Sequence, residues 1–309
     1  MKKNLENIFT KINPIPFGIG SLFTIFILLI MNFSYSDSEL LKIDFPQEYK
    51  ITTPLIPKKL YFAGEQVPLE DTDVYEIFER EFIVNTYFHS STIFSLKRAT
   101  RWFPVIEPIL KNYGIPEDFK YLVMIESNFM NVVSPKNAVG FWQLIKSSAE
   151  GYGLEVNNEV DERYHVEKST EAACKYLLDA YNQFGSWTFA AAAYNAGIAG
   201  IKSQIAIQKE TKFYDILFNE ETTRYIARLL SMKYIYLNPS YYGYYIQENE
   251  LYKPYEYKEI IISDSVNSWT NFAKANGITY KKLKKLNPWL RDVKLTNKAK
   301  KTYIIKLPD

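Results

Sequence analysis

The sequence has few of the side chains that most often bind metal. Its 309 residues include one cysteine, Cys174, and two histidines, His89 and His165. A single cysteine excludes an internal disulfide framework, and its place in a helical run predicts a small core residue. The usual zinc ligand sets cannot be assembled from so few side chains. We therefore expect no metal, and no motif implies an organic cofactor.

The sequence also lacks strong charge and a nucleophile motif. The formal net charge is +2, which indicates no nucleic-acid partner. No Gly-x-Ser-x-Gly motif accompanies either histidine, so a Ser-His-Asp triad stays open only in principle. Carboxylates remain as the groups that could carry acid/base chemistry. The content is 47% hydrophobic and 16% aromatic, which indicates a folded chain with room for one core and a small second module.

The N-terminal residues are typical of an export signal. Three lysines occur within the first eleven residues, the apolar run Leu22–Met31 follows, and Ser34–Ser36 offers small residues for cleavage. Residues 1–36 are therefore predicted to be a signal peptide, with an uncleaved anchor over Phe17–Phe33 as the alternative. We expect an exported protein of the periplasm or cell envelope, with membrane association if the segment is retained.

The rest of the chain divides by its sequence patterns. Residues 37–72 are polar and broken by prolines, which predicts an extended lead-in. Residues 73–239 are helix-periodic and show no strand pattern of any length, which predicts an all-helical domain with Pro104 and Pro108 kinking or splitting its second helix. The predicted helices are Val74–Tyr87, Thr92–Tyr113, Pro116–Ser127, Phe141–Tyr152, Thr170–Phe184, Trp187–Asn195 and Glu221–Leu237.

A small module is predicted at the C-terminus. A tyrosine-rich linker, residues 240–256, precedes a β-α-α-β pattern over residues 257–308. That module holds 12 Lys and Arg against 4 Asp and Glu, counted to Asp309, so it is basic. Its core is predicted to come from Ile261, Trp269, Phe272, Leu283, Leu286 and Ile304.

Glu126 is the most informative residue, because it lies in a helix whose other sides are largely apolar. Phe119, Leu122, Val123 and Glu126 share one face by their spacing. A carboxyl group in such surroundings has a raised pKa and can hold a proton near neutral pH, as a general acid must. The alternative is a glutamate paired with an arginine in a structural network.

Three further segments carry polar groups that helix packing does not require. They are the loop Ser134–Gln143, which ends at a new helix; the alanine-rich run Ala190–Gly197, with Tyr194 and Asn195 near its end; and Glu221–Tyr225, which opens the last helix. Each has an ordinary structural interpretation as well, such as a helix start or a cap.

Together the four segments resemble the lytic transglycosylases with a soluble-lytic-transglycosylase (goose-lysozyme-like) domain, most closely the membrane-bound lytic murein transglycosylase D type. The resemblance extends over about residues 87–237. The tail separately resembles a LysM module, a class that binds glycans containing N-acetylglucosamine. The fold implied is a lysozyme-like helical domain followed by a LysM module, a mainly α chain.

The resemblance implies roles for individual residues and a substrate. It makes Glu126 the sole catalytic acid/base, with a cleft lined by Ser134, Gln143, Tyr194, Asn195 and Tyr225. The implied partner is the peptidoglycan glycan strand, cut between N-acetylmuramic acid and N-acetylglucosamine with a 1,6-anhydromuramic end. Two alternatives stay open: a muramidase that hydrolyses the same bond, with Asp161 or Glu150 as a second carboxylate, and a non-catalytic wall-binding protein.

Overall fold

Helices dominate the described part of the protein, and each of its two sheets is an antiparallel pair of strands. The computed structural model describes residues 51–309, so the predicted signal and the start of the lead-in lie outside the described residues. In chain order the elements are β1 (Tyr61–Phe62), β2 (Glu65–Gln66), α1 (Thr72–Tyr87), α2 (His89–Asn112), α3 (Leu122–Ser127), α4 (Lys146–Gly151), α5 (Val166–Phe184), α6 (Trp187–Ala196), α7 (Ile198–Gln208), α8 (Glu220–Thr223), α9 (Tyr225–Leu237), β3 (Tyr257–Ile262), α10 (Trp269–Ala275), α11 (Tyr280–Leu286) and β4 (Tyr303–Pro308). The predicted fold class, a mainly α domain followed by a β-α-α-β module, is confirmed.

The core of the helical domain forms around α5 and α6. All four alanines of Ala190–Ala193 on α6 are fully buried, and α5 packs against both α6 and α2. Alanine adds little bulk, so the backbones of neighbouring helices can approach closely. Cys174 on α5 is also fully buried, as predicted for a small core residue. Helix α9 closes the domain by packing along α1.

The lead-in contributes to this core. Phe62 of the β1–β2 hairpin is fully buried, with its ring 5.1 Å from that of Phe119. The carboxylate of Glu65 accepts hydrogen bonds from the backbone N–H groups of Trp187 (2.6 Å) and Thr188 (3.0 Å), so it satisfies the free donors at the start of α6. Residues 60–67 are therefore structural and not a loose extension.

One helix prediction was wrong for an identifiable reason. The predicted helix Phe141–Tyr152 begins only at Lys146, because Gly140 (φ +82°) and Gln143 (φ +46°) have left-handed backbones that a helix cannot contain. Trp142 is fully buried in that turn, and an apolar residue at this position gives the same sequence pattern as the start of a helix. The second helix, α2, is not split at its two prolines, which lie inside it on its exposed side. Helix α7 was not predicted.

The C-terminal module is held by an antiparallel pair of strands and two helices. Trp269, Leu283 and Ile305 are fully buried, so the prediction for Trp269 and Leu283 is confirmed. The prediction for Ile261 and Ile304 was wrong, because these side chains are 69% and 45% exposed. The two residues pair across the strands on the outer face, since alternate residues of a strand point to opposite sides.

The module docks directly on the helical domain. Val160 and Leu290 form a β-bridge, and the N–H of Asp161 donates to the carbonyl of Trp289 at 2.9 Å. The carboxylate of Glu155 accepts from the Tyr303 hydroxyl at 3.0 Å and pairs with Lys301 at 3.0 Å. These contacts place the module within the same compact unit, Thr53–Asp309, as the helical domain.

Candidate active site

Glu126 lies next to the C-terminal residue of α3. A 3₁₀ turn, Glu117–Tyr121, leads into this six-residue helix, whose Leu122, Val123 and Met124 are buried in the core. The helix stops immediately afterwards, because Asn128 adopts a left-handed backbone (φ +51°). Glu126 itself is half-buried. Its carboxyl group is therefore surrounded by protein yet reachable from solvent.

The side chain of Tyr225 holds the Glu126 carboxyl group directly. Its hydroxyl donates a hydrogen bond to Oε1 of Glu126, and the ring is 2% exposed at the start of α9. Burial raises the pKa of Glu126 to about 7; the Tyr225 hydrogen bond and the charge of Arg228 act against this rise, and the negative charge of Glu221 adds to it. Glu126 can therefore carry a proton at neutral pH and can also release it.

A different glutamate, Glu81, is the one held in an arginine network. Its side chain is 1% exposed, and Arg224 Nε lies 2.7 Å from Oε1 while Arg228 Nε lies 3.5 Å from Oε2. Among residues 51–309 Glu126 forms no ion pair with an arginine. The arginine network that was the structural alternative for Glu126 is therefore found at Glu81. The positive charge of Arg228, which lowers the pKa of Glu126, is also in contact with Glu81.

Tyr194 and Asn195 reach the same region from the end of α6. The Tyr194 hydroxyl donates to the carbonyl of Trp142 at 2.6 Å, and burial followed by the charge of Glu126 raises its pKa well above the usual value. Asn195 donates to Glu221 Oε1 at 3.1 Å and accepts from the Thr222 hydroxyl at 2.9 Å. Helices α6 and α8 are therefore joined by side chains beside Glu126.

The loop before α4 carries the remaining predicted site residues. The amide nitrogen of Gln143 donates to the carbonyls of Val132 (3.1 Å) and Gly140 (2.7 Å), so half of this side chain holds its own loop in shape. The Ser134 hydroxyl accepts from the N–H of Ala138 at 3.0 Å. Neither residue contacts Glu126. The loop is tied to α3 by the Ser127 hydroxyl, which donates to the carbonyl of Phe141 at 2.8 Å.

A groove of about 330 Å³ connects this loop with the two helices. Lys136, Asn195 and Glu221 line it, and Asn195 is the one predicted site residue in its lining. Glu221 is the residue that the sequence interpretation missed, because an acid in a first helical turn has a sufficient explanation as a partner of the helix start. Its contact with Asn195 and its effect on Glu126 come only from the fold.

The two carboxylates proposed for hydrolysis are occupied elsewhere. Asp161 is buried and forms a two-point pair with Arg163, at 2.9 Å to Nε and 2.7 Å to Nη2. Glu150 is exposed on α4 and lies 3.7 Å from Lys146.

Within residues 51–309 no cluster of three or more His, Cys, Asp or Glu side chains could hold a metal ion. None of the helices over the same residues combines the length and apolar character of a bilayer-spanning segment.

Known families match both parts of the chain. Residues 104–217 match the Transglycosylase SLT domain, and residues 258–309 match the Soluble lytic transglycosylase C-terminal LysM-like domain. The chain therefore contains an SLT transglycosylase domain followed by a LysM-like domain, as the sequence resemblance implied.

The chain is also similar to individual proteins. The membrane-bound lytic murein transglycosylase D of Escherichia coli is 29% identical over 191 residues, which is 59% of this chain and 41% of that protein; the same protein from a second Escherichia coli strain gives the same values. The chain thus spans less than half the length of these relatives. An inactive mutant of lytic transglycosylase Slt from Pseudomonas aeruginosa (21% identity, 50% of this chain, 26% of that chain) gives a TM-score of 0.38. The 70 kDa soluble lytic transglycosylase of Escherichia coli (17%, 58% and 33%) gives 0.39.

Proposed function

We propose that this protein is a lytic transglycosylase of peptidoglycan, with Glu126 as its single acid/base. It cleaves the β-1,4 bond between N-acetylmuramic acid and N-acetylglucosamine and leaves a 1,6-anhydromuramic end. The observation that carries the proposal is the state of Glu126: a half-buried carboxyl group with a pKa near 7, hydrogen-bonded by Tyr225 and free of any arginine pair. The two matched domains and the murein-cleaving relative support the choice of polymer.

The first step requires a protonated Glu126. Its proton passes to the bridging oxygen while the bond from that oxygen to the muramic C1 breaks, and positive charge develops at C1. The N-acetylglucosamine side leaves as an alcohol. The resulting Glu126 carboxylate is stabilised by the hydrogen bond from the Tyr225 hydroxyl, which favours the charged form.

The second step uses the same carboxylate as a base. Glu126 takes the proton of the 6-hydroxyl on the same muramic ring, and that oxygen bonds to C1 to close the anhydro ring. No water is consumed, and Glu126 returns to its protonated form. A group that gives up and regains one proton in each turnover works best when its pKa is close to the working pH, and the value near 7 meets that condition.

The surrounding polar residues are proposed to hold the sugar rings. Tyr194 and Asn195 at the end of α6, with Gln143 and Ser134 on the opposite loop, would border the glycan strand along the groove. Among residues 51–309, the side-chain oxygen of Gln143 accepts no hydrogen bond, so it can accept one from a sugar hydroxyl or amide. Tyr194 and Tyr225 are committed to Trp142 and Glu126, and we assign them to holding the site's shape.

Hydrolysis of the same bond is the second candidate, and one observation favours it. Glu221 is a carboxylate beside the groove whose charge reaches Glu126, so it could activate a water or assist the sugar. The products separate the two reactions, because water gives a reducing muramic end and internal attack gives an anhydro end.

The LysM-like module and the N-terminal segment indicate where the protein would work. We propose that the module contributes to binding glycan containing N-acetylglucosamine and that the chain is exported to the cell envelope, in line with the basic and apolar N-terminal pattern and with a relative named as membrane-bound.

Glu126→Gln tests catalysis against a purely wall-binding role. The amide cannot donate or accept the catalytic proton, so clearing of purified sacculi should fall by about 10² to 10⁴. If the variant clears sacculi at the wild-type rate, the acid/base role is wrong.

A further inference from the structure

A second cavity lies where the module meets the helical domain. It has a volume of about 600 Å³, within the range of sites for small ligands, and we call it the seam pocket. Its walls come from α2, from the loops that carry Phe129 and Phe141, from the start of α5, from the linker just before β3, and from the module. Trp102 of α2, Tyr255 of the linker and Trp289 of the module are among its aromatic residues. None of the six predicted catalytic-site residues lines it.

The linker wall of the seam pocket is fixed in place. Arg101 on α2 donates from Nε to the carbonyl of Lys253 at 2.8 Å and from Nη1 to the Tyr255 hydroxyl at 3.1 Å. The edge of Trp102 meets the Tyr255 ring at a centroid distance of 6.0 Å. The pocket is therefore formed before any ligand arrives, which lowers the entropic cost of binding.

Three cations of the seam pocket, Arg98, Arg101 and Lys285, lie in or near this wall. The guanidinium of Arg101 lies 4.3 Å from the centroid of the Tyr255 ring, and Lys285 Nζ lies 5.2 Å from the same centroid. Arg98 also lines the pocket; burial lowers its pKa, Tyr252 acts against this, and the neighbouring charge of Arg101 adds a smaller lowering. Among residues 51–309 no carboxylate forms an ion pair with any of these three cations.

The acids that line the pocket do not neutralise that cluster. Glu167 is engaged by His165 at 3.1 Å and by Lys306. Glu256 and Asp309 are exposed and form no ion pair among the described residues. Like charges held together without an anion repel each other, and a bound carboxylate relieves that repulsion. The aromatic walls suit the apolar parts of the same ligand.

We propose that the seam pocket binds the carboxylate-bearing stem peptide of peptidoglycan. This deepens the proposed function, since it assigns a place for the peptide beside an enzyme that acts on the glycan. The glycan backbone offers hydroxyls and amides, and the stem peptide supplies the free carboxylates that three unpaired cations select. The module would then have a second role, because its Lys285 and Trp289 complete the pocket.

The test is calorimetric binding of the free stem tetrapeptide, without sugar, to the full chain carrying Glu126→Gln. Arg101→Gln should weaken tetrapeptide binding by about tenfold, the value of one hydrogen bond to a charged group, and Lys285→Gln should weaken it severalfold. Lys281→Gln, an exposed lysine on the same helix α11 that does not line the pocket, is the matched control and should change nothing. Binding of an N-acetylglucosamine tetramer should be the same in all variants.

Equal tetrapeptide affinity in the parent and in both pocket variants overturns the inference, as does an absence of binding to the parent. Because Arg101 also anchors the linker, its variant is compared by thermal unfolding, and Lys285→Gln carries the test if Arg101→Gln is unstable. The binding result does not depend on catalysis. If the tetrapeptide binds in a charge-dependent way but the wild-type protein forms no anhydro ends, the proposed function is rejected and the pocket assignment stands.

Discussion

Two substitutions are expected to move the pKa of Glu126 in opposite directions. Tyr225→Phe removes the hydroxyl that donates to the carboxylate, so the charged form loses stabilisation and the pKa rises above 7. Glu221→Gln removes a negative charge that disfavours ionisation, so the pKa falls below 7. Glu126 must be protonated when it meets the substrate, so the alkaline limb of the pH profile follows its pKa.

The sizes of these two shifts should differ. A hydrogen bond to a charged group contributes about 1.5 kcal/mol or more, and 1.36 kcal/mol corresponds to one pKa unit, so Tyr225→Phe should raise the pKa by about 1. Glu221 is exposed and its charge is screened by solvent, so an interaction of about 0.2 to 1 kcal/mol corresponds to a fall of about 0.2 to 0.7.

The measurement is kcat/KM against pH for solubilised glycan strands, since its profile reports the free enzyme. Wild-type activity should decline as the pH rises through about 7, the decline should begin later in Tyr225→Phe, and it should begin earlier in Glu221→Gln. Glu220→Gln is the control, because its exposed carboxylate pairs with Arg224, which binds Glu81 and not Glu126. Alkaline limbs that coincide in all four proteins would refute the reasoning.

Three further predictions concern stability. The folded-state pKa of Glu126 lies above its ordinary value, so its favourable contribution to folding stability is complete below pH 4.5 and is lost as the pH rises through about 7. In denaturant unfolding, Glu126→Gln should therefore be more stable than wild type by about 1 to 3 kcal/mol at pH 8 and equally stable at pH 4. Gly140→Ala should lower the free energy of unfolding by about 2 to 4 kcal/mol in the same assay, because the added methyl would lie 2.1 Å from the carbonyl oxygen of Arg163. Gly64→Ala is the control: its added methyl meets no atom within 4 Å, so the free energy of unfolding should fall by less. Asp161→Asn should cost about 3 to 5 kcal/mol by breaking a buried pair, and its folded fraction should give the same glycan products as wild type; a changed muramic end would make Asp161 catalytic.

The sequence allowed the helices and the key carboxyl group to be predicted, because both depend on local patterns. Apolar spacing marked most of the long helices, and Glu126 was conspicuous as an acid on an apolar face. The loop before α4 could not be predicted in this way. A tryptophan buried in a left-handed turn produces the same apolar signal as a helix start, and the hydrogen bond from Trp142 Nε1 to the Thr170 hydroxyl is a long-range contact that local sequence does not show.

Long-range pairing explains the other misses. Which face of β3 is buried depends on its register with β4, and three successive isoleucines give no local indication of it. Glu81 and Glu221 resemble ordinary helix-surface acids in the sequence, yet the first is buried beside Arg224 and Arg228 and the second is bound by Asn195 from α6. The seam pocket likewise depends on several segments, which are separated by up to about 200 residues of the chain.

The most direct test of the central claim is the chemical nature of the muramic end that the purified protein leaves on peptidoglycan. One carboxyl group that gives and then regains a proton should produce 1,6-anhydromuramic ends, lighter by one water than the hydrolytic product in mass spectrometry. The account predicts these ends with wild-type protein and a loss of about 10² to 10⁴ in their rate of formation with Glu126→Gln. Reducing muramic ends as the main product, or anhydro ends formed at the wild-type rate by the variant, would contradict it.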